Sequence, residues 1–276
     1  ACDIHERASE YLKVVVDLLL LFAREGDTVV KIYMCTGQVL EGLIASLEFL
    51  PPELTVQICR TFKRLAHEPD VLNMLENAGV VPVLVHFLAI HCKHKQPPRE
   101  EEDLVQNFTT RTASQAHDAC WQCMLALYFL CKLSRARQEQ AALAGALPVL
   151  QELVEIRIDL RRYAFEMISW MTGASLASRK QLWDKGGVAF FVRSLEFTDL
   201  QQLALEALVD WLRVKEHRAD WCQRVEGVLL QETSFMGKIL ALFKTPKADA
   251  AVFVKILDPL LKLLRVSNGI KEALAG

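Results

Sequence analysis

Apolar positions recur along this chain at steps of three and four, the spacing that collects them on one face of a helix. The pattern is clearest in RARQEQAALAGALPVLQELVE, residues Arg135–Glu155. Gly145 can close one helix in the left-handed conformation, and Pro148 fits the opening turn of the next, where its missing N–H costs little. Leu147, Leu150, Leu153 and Val154 then follow on one face. The arrangement returns at Gly37-Gln38-Val39-Leu40, Gly79-Val80-Val81-Pro82 and Gly187-Val188-Ala189-Phe190. Gly37 to Gly79 and Gly145 to Gly187 are each 42 residues apart, and Gly79 to Gly145 is 66, the same period plus 24. A helical period of this length predicts a single all-α, right-handed solenoid domain over residues 1–276, built of about six repeats.

The same pattern predicts the elements. Ile4–Arg24 reads as a helix with Tyr11, Val14, Val15, Leu18 and Leu19 on its buried side, the end of a truncated first repeat. Thr28–Met34, Gly37–Phe49 and Glu53–His67 follow, then Asp70–Asn77 and Val81–Ile90. His91–Ser114 has no apolar period, carries Pro97-Pro98 and an acidic cluster at Glu100–Asp103, and reads as a loop inserted within one repeat. It is either a solvated loop or a partner-binding insertion, with Thr112 and Ser114 as weak phosphorylation candidates. The helix resumes at Gln115–Leu133, and two complete units occupy Arg137–Thr172 and Ser178–Lys215. Beyond them the period blurs over Arg218–Leu230, Phe235–Phe243, Asp249–Arg265 and Gly269–Leu274, where Pro259 should kink or split its helix.

Composition narrows the chemistry. Hydrophobic residues make up 52% and charged residues 24% of the chain, which favours packed helices over disorder. A net charge of −2 gives no global reason to expect nucleic acid. The longest apolar run, Val14–Ala23, is broken by Asp17 and is too short to span a bilayer, so no membrane is expected. No secretory signal opens the chain, and without an initiator Met it reads as a fragment or processed form. Eight cysteines, several within helical apolar patterns, read as small hydrophobes in a reducing, intracellular setting. Cys120-Trp-Gln-Cys123 could contribute to a zinc site with Cys92, His94 or His117, but half of the required spacing is missing and packing is the preferred reading. No phosphate-binding loop, kinase catalytic loop, nucleophile elbow or zinc-protease helix occurs, so no enzyme, no catalytic residue, no metal and no cofactor are expected.

Segments such as Arg137–Val154, with a short-long-long helix rhythm and a Gly-Ala-Leu-Pro centre, resemble armadillo repeats more than HEAT repeats. Leu130–Ala142, Arg161–Glu196 and Val252–Ala275 narrow this further. They look like the C-terminal armadillo region of the STE-type kinase family that contains plant MAP-kinase-kinase-kinase epsilon and the fungal septation and mitotic-exit kinases. That resemblance implies a cytoplasmic protein-binding domain that engages a small Ras-like GTPase and helps bring its kinase to the spindle pole body. The alternative is a scaffold groove for phosphorylated or acidic peptides of a spindle-pole scaffold protein.

In armadillo proteins the third helix of each repeat lines a groove, and importin-type members carry Asn ladders there. The corresponding positions here are Arg64, Lys132, Trp170 and Trp211, preceded by four residues by Arg60, Tyr128, Glu166 and Ala207. The Asn ladder is missing and two of its places are cationic, which counts against a basic peptide ligand. Arg60, Arg64, Tyr128, Lys132, Trp170 and Trp211 are therefore the expected protein-binding residues, with a core role for either Trp and a solvated face for the arginines as alternatives.

Overall fold

In the computed structural model the described residues are 2–47, 49–92, 107–213, 218–231, 233–244 and 250–275. Among them there are 17 α-helices and no strand. The chain separates into two compact units, Ala1–Ala164 and Phe165–Gly276.

The first unit holds α1 (Cys2–Glu25), α2 (Thr28–Met34), α3 (Gly37–Ser46), α4 (Pro52–Leu65), a 3₁₀ turn at Pro69–Val71, α5 (Leu72–Asn77), α6 (Val80–His91), α7 (Asn107–Cys131), α8 (Arg135–Leu143) and α9 (Ala146–Ile156). Helix α10 (Arg161–Ala174) carries the boundary within it. The second unit continues with α11 (Leu176–Asp184), α12 (Gly187–Ser194), α13 (Gln201–Leu212), α14 (Arg218–Gln231), α15 (Thr233–Lys244), α16 (Ala250–Val266) and α17 (Asn268–Ala275).

The repeat grammar rests on local caps. The Ser134 side chain accepts from Arg137 N to start α8, and Ser175 accepts from Ser178 N to start α11. Eleven residues after each serine comes a left-handed glycine, Gly145 and Gly186, which admits the sharp reversal into the next helix. Gly79 is the third, with φ of 74°. Two expected breaks differ. Gly187 is a helical residue, and the break lies one residue earlier at Gly186. Gly37 opens α3 behind Thr36 without a left-handed φ.

Packing follows the third helices. In the first unit α1 packs on α4, α4 on α7, and α7 also on α6. Ile58, Cys59, Phe62 and Leu65 of α4, and Cys123, Met124, Leu127 and Leu130 of α7, are fully buried. The C-terminal carbonyls of α7 are satisfied from the next repeat: Arg137 Nε donates to Leu130 O at 2.6 Å and Gln138 Nε2 to Cys131 O at 2.8 Å. In the second unit α13 packs on α12, α14 and α16. Its core is a run of ring contacts from Phe165 through Phe191 and Trp211 to Trp183 and Trp221.

Three further expectations are corrected. Tyr11, Val14, Val15 and Leu18 of α1 are exposed, Tyr11 by 76%, and Leu19 is half-buried, while Val16 and Ala23 are the buried positions among residues 10–25. This helix is apolar on two sides, and period alone cannot say which side meets α4. Helix α7 starts at Asn107, eight residues before Gln115, so the C-terminal part of the expected 91–114 loop is helical. Periodicity reports which residues face a core, whereas extending a packed helix by a turn or two costs little. Residues 93–106, with the acidic cluster, and the side chains of Thr112 and Ser114 lie outside the described residues. Pro259 does not split its helix, since α16 continues through it as one element.

Candidate protein-binding surface

The sequence of α4 alternates what it buries and what it presents. Cys59, Phe62 and Leu65 face the core, which leaves Arg60, Lys63 and Arg64, at i, i+3 and i+4, on the opposite side. Arg64 is exposed, while Arg60 and Lys63 are half-buried. Arg60 Nη1 donates to Gln57 Oε1 at 3.2 Å. Burial, then the neighbouring Arg64 and Arg60, hold the Lys63 amine below its ordinary value. Elsewhere the fold supplies carboxylates to its cations, as in Lys31–Glu68 and Arg137–Glu76, both at 3.2 Å. Among the described residues no carboxylate pairs with Arg60, Lys63, Arg64 or Lys132.

Rings lead away from these cations. Lys132 follows α7, and its Nζ stands 5.9 Å from the Tyr128 ring centroid. Tyr128 meets Tyr163 edge-on at 5.0 Å, and Tyr163 meets Trp121 edge-on at 6.4 Å. On its other side Tyr128 meets Phe129 at 5.5 Å, and Phe129 packs against His67 at 3.9 Å. His67 closes the path, because its Nδ1 lies 2.6 Å from Lys63 O. Tyr128 is 8% exposed, whereas Trp121, Phe129 and Tyr163 are half-buried and His67 is exposed. Cations and rings thus form one connected surface along α4 and α7.

Of the six expected residues, Arg60, Arg64 and Lys132 reach this surface of the first unit, and Tyr128 lies buried beneath it. Trp170 lies in the second unit, half-buried. Trp211 is fully buried there, edge-on to Phe191 at 6.1 Å and to Trp183 at 6.4 Å, with no exposed area to offer a partner. Sequence reasoning missed Lys63, His67, Trp121, Phe129 and Tyr163. Two were recoverable: Lys63 sits between Arg60 and Arg64 on one helix face, and Trp121 lies two helical turns before Tyr128.

The cysteine pair Cys120 and Cys123 is in the core. Cys123 Sγ lies 3.1 Å from Cys59 Sγ, and no group of three or more potential metal ligands gathers among the described residues. No single described helix is long and apolar enough to cross a membrane.

These features define an armadillo-type α-solenoid. A designed armadillo repeat protein in complex with peptide (KR)4 superposes with a TM-score of 0.61 at 14% identity, covering 91% of this chain and 92% of that one. An engineered protein gives 0.61 at 19% identity, over 94% and 92%. No family model matches. Over nearly its whole length the chain is homologous to one part of the MAP3K epsilon and SepH/Cdc7-type kinases. It is 31% identical to MAP3K epsilon protein kinase 1 of Brassica napus across 98% of the chain, and 28% identical to cytokinesis protein sepH of Aspergillus terreus across 95%. It is 24% identical to cell division control protein 7 of Schizosaccharomyces pombe across 90%. The matches span 19%, 18% and 21% of those relatives' own lengths.

Proposed function

We propose that this chain is the non-catalytic, protein-binding domain of a signalling kinase that acts in cytokinesis, septation and mitotic exit, and that its partner is a small Ras-like GTPase. In this reading the domain helps recruit the cytoplasmic kinase to the spindle pole body. The carrying observation is the set Arg60, Lys63, Arg64 and Lys132, which have no carboxylate partner among the described residues, beside a row of rings on a solenoid homologous to part of such kinases. Trp, Tyr and Arg, three of the residue types present here, are the ones enriched at the hot spots of protein interfaces. The names of the fungal relatives support the cell-division role.

The test is capture of the GTPase on the immobilised chain, loaded with GTP or with GDP. An effector domain must bind the two states differently. Equal capture of both, or none, removes the GTPase reading.

A second reading, a scaffold for phosphorylated or acidic peptides of a spindle-pole protein, is favoured by the same cations, which meet no carboxylate among the described residues. The designed neighbour's peptide, (KR)4, is basic and would meet like charge on this face.

A further inference from the structure

We infer that the α4–α7 face recognises a linear segment of a partner protein in which an aromatic side chain is followed directly by a run of Asp or Glu. The inference rests on the protein-binding reading above, and it holds whether or not the GTPase is the partner.

The sign of the charge comes first. Arg60, Lys63 and Arg64 crowd one face of a single helix, where like charges at three and four residues repel. A fold that pairs Lys31, Arg137, Lys238 and Lys262 with carboxylates gives these none among the described residues. An incoming anionic segment relieves that repulsion.

Carboxylates fit better than a phosphate. The cations are spread over α4 and the end of α7, on side chains that reach solvent. They do not converge as a buried guanidinium fork or line a helix N-terminus, the arrangements that hold a phosphate dianion. Distributed single charges match several carboxylates in series.

The rings set one end. Cys59 meets Cys123 and His67 meets Phe129, so α4 runs parallel to α7 and its cations stand level with the stretch between Trp121 and Lys132. At about 1.5 Å per residue that stretch is about 16 Å long, the reach of about five residues of extended chain. Trp121 and Tyr163 are half-buried and edge-on, leaving ring surface for an aromatic guest. The predicted ligand carries its aromatic anchor over Trp121 and Tyr163 and its acidic run in the residues that directly follow, over the α4 cations and Lys132.

The experiment is fluorescence anisotropy of the 276-residue chain with labelled peptides. One peptide carries a Trp followed directly by five Glu; the others replace Glu by Lys, replace the run by a single phosphoserine, or replace the Trp by Ala. The Glu peptide is expected to bind, to weaken at least tenfold between 50 and 300 mM salt, and to exceed every other peptide. Lys63→Glu with Arg64→Glu is expected to weaken it more than tenfold, Lys132→Ala and Trp121→Ala several-fold each, and Lys271→Glu in the second unit not at all. Circular dichroism checks folding of each variant, and Lys132→Ala keeps the test open should the double reversal misfold. A Glu peptide that binds no better than the Lys peptide overturns the inference, as do tighter binding of the phosphoserine peptide and indifference to both Lys132→Ala and the double reversal. Failure here alongside nucleotide-dependent capture of the GTPase leaves the proposed function standing. Peptide binding without GTPase capture does the reverse.

Discussion

Arg137 reaches back across a repeat boundary to donate Nε to the carbonyl oxygen of Leu130 at 2.6 Å, while its Nη1 holds Glu76 Oε2 at 3.2 Å. One buried guanidinium therefore caps the end of α7 and ties α8 to α5. Removing it leaves an orphaned carbonyl and a half-buried carboxylate together. Arg137→Ala should cost about 3 kcal/mol in chemical denaturation. Arg135→Ala, two residues away and exposed, should stay within about 0.5 kcal/mol. Equal effects would show that the reach across the boundary contributes nothing.

The glycines offer a sharper contrast. Gly186 adopts φ of 69° with open space where a Cβ would project, so Gly186→Ala pays for backbone conformation alone, about 1 kcal/mol. At Gly187 a Cβ would stand 2.6 Å from Leu182 Cγ and 2.8 Å from Leu182 O, and a backbone carbonyl at that distance cannot turn aside. Gly187→Ala should therefore destabilise more than Gly186→Ala, and Gly186→Asn should be tolerated best. Thermal unfolding of the three variants reads the order.

This pair also shows what was legible in the sequence. The period located the repeats, but both Gly186 and Gly187 satisfy a search for glycine, and only the serine eleven residues upstream separates them. Ser134 and Gly145 share that interval with Ser175 and Gly186. The face of α1 was illegible for another reason: Val14 and Val16 are chemically alike, and burial depends on which neighbour arrives. In the candidate site the helical register exposed Arg60 and Arg64. Tyr163 and His67 join it only through tertiary contacts with α7, which no local pattern encodes.

The buried thiols make stability depend on alkaline pH. Burial pushes Cys35 up to about 11, and Cys120 and Cys131 to about 12, from an ordinary value of 9.0. Cys123 is raised as well, by its hydrogen bond with Cys59 and then by burial. The fold retains these protons while the unfolded chain releases them, so stability is intact below about pH 9 and falls from there toward 12, by about 1.4 kcal/mol per thiol per pH unit. Denaturation at pH 8 and pH 10 should show the loss, and Cys131→Ala should flatten the slope. A pH-independent midpoint across that range would contradict it.

Trp211 is a stability residue in the second unit. Its ring is wholly buried against Trp183 and Phe191, and its Nε1 has no hydrogen-bond partner among the described residues. Trp211→Ala should cost about 4 kcal/mol by emptying that site. Trp211→Phe keeps an aromatic ring and removes the unsatisfied donor, so its cost should stay under about 1.5 kcal/mol. A Trp211→Ala chain that melts like the parent would return this residue to the surface.

The surface charges should behave in the opposite way, altering association and leaving stability alone. Arg64 and Lys132 are exposed, and neither has a carboxylate partner among the described residues, so no native ion pair is lost when they are reversed. Against an acidic partner they raise the encounter rate through a field that salt screens over about 8 Å at physiological ionic strength. The double variant Arg64→Glu, Lys132→Glu should therefore slow association with the GTPase strongly at 50 mM salt and little at 500 mM. In the proposed complex dissociation rests on the half-buried rings Trp121, Phe129 and Tyr163 and should change less. Melting should stay within about 0.5 kcal/mol of the parent. Stopped-flow association at the two ionic strengths, beside a thermal melt, separates these quantities. A variant that loses affinity equally at both would place the loss in packing and remove electrostatic steering from the account.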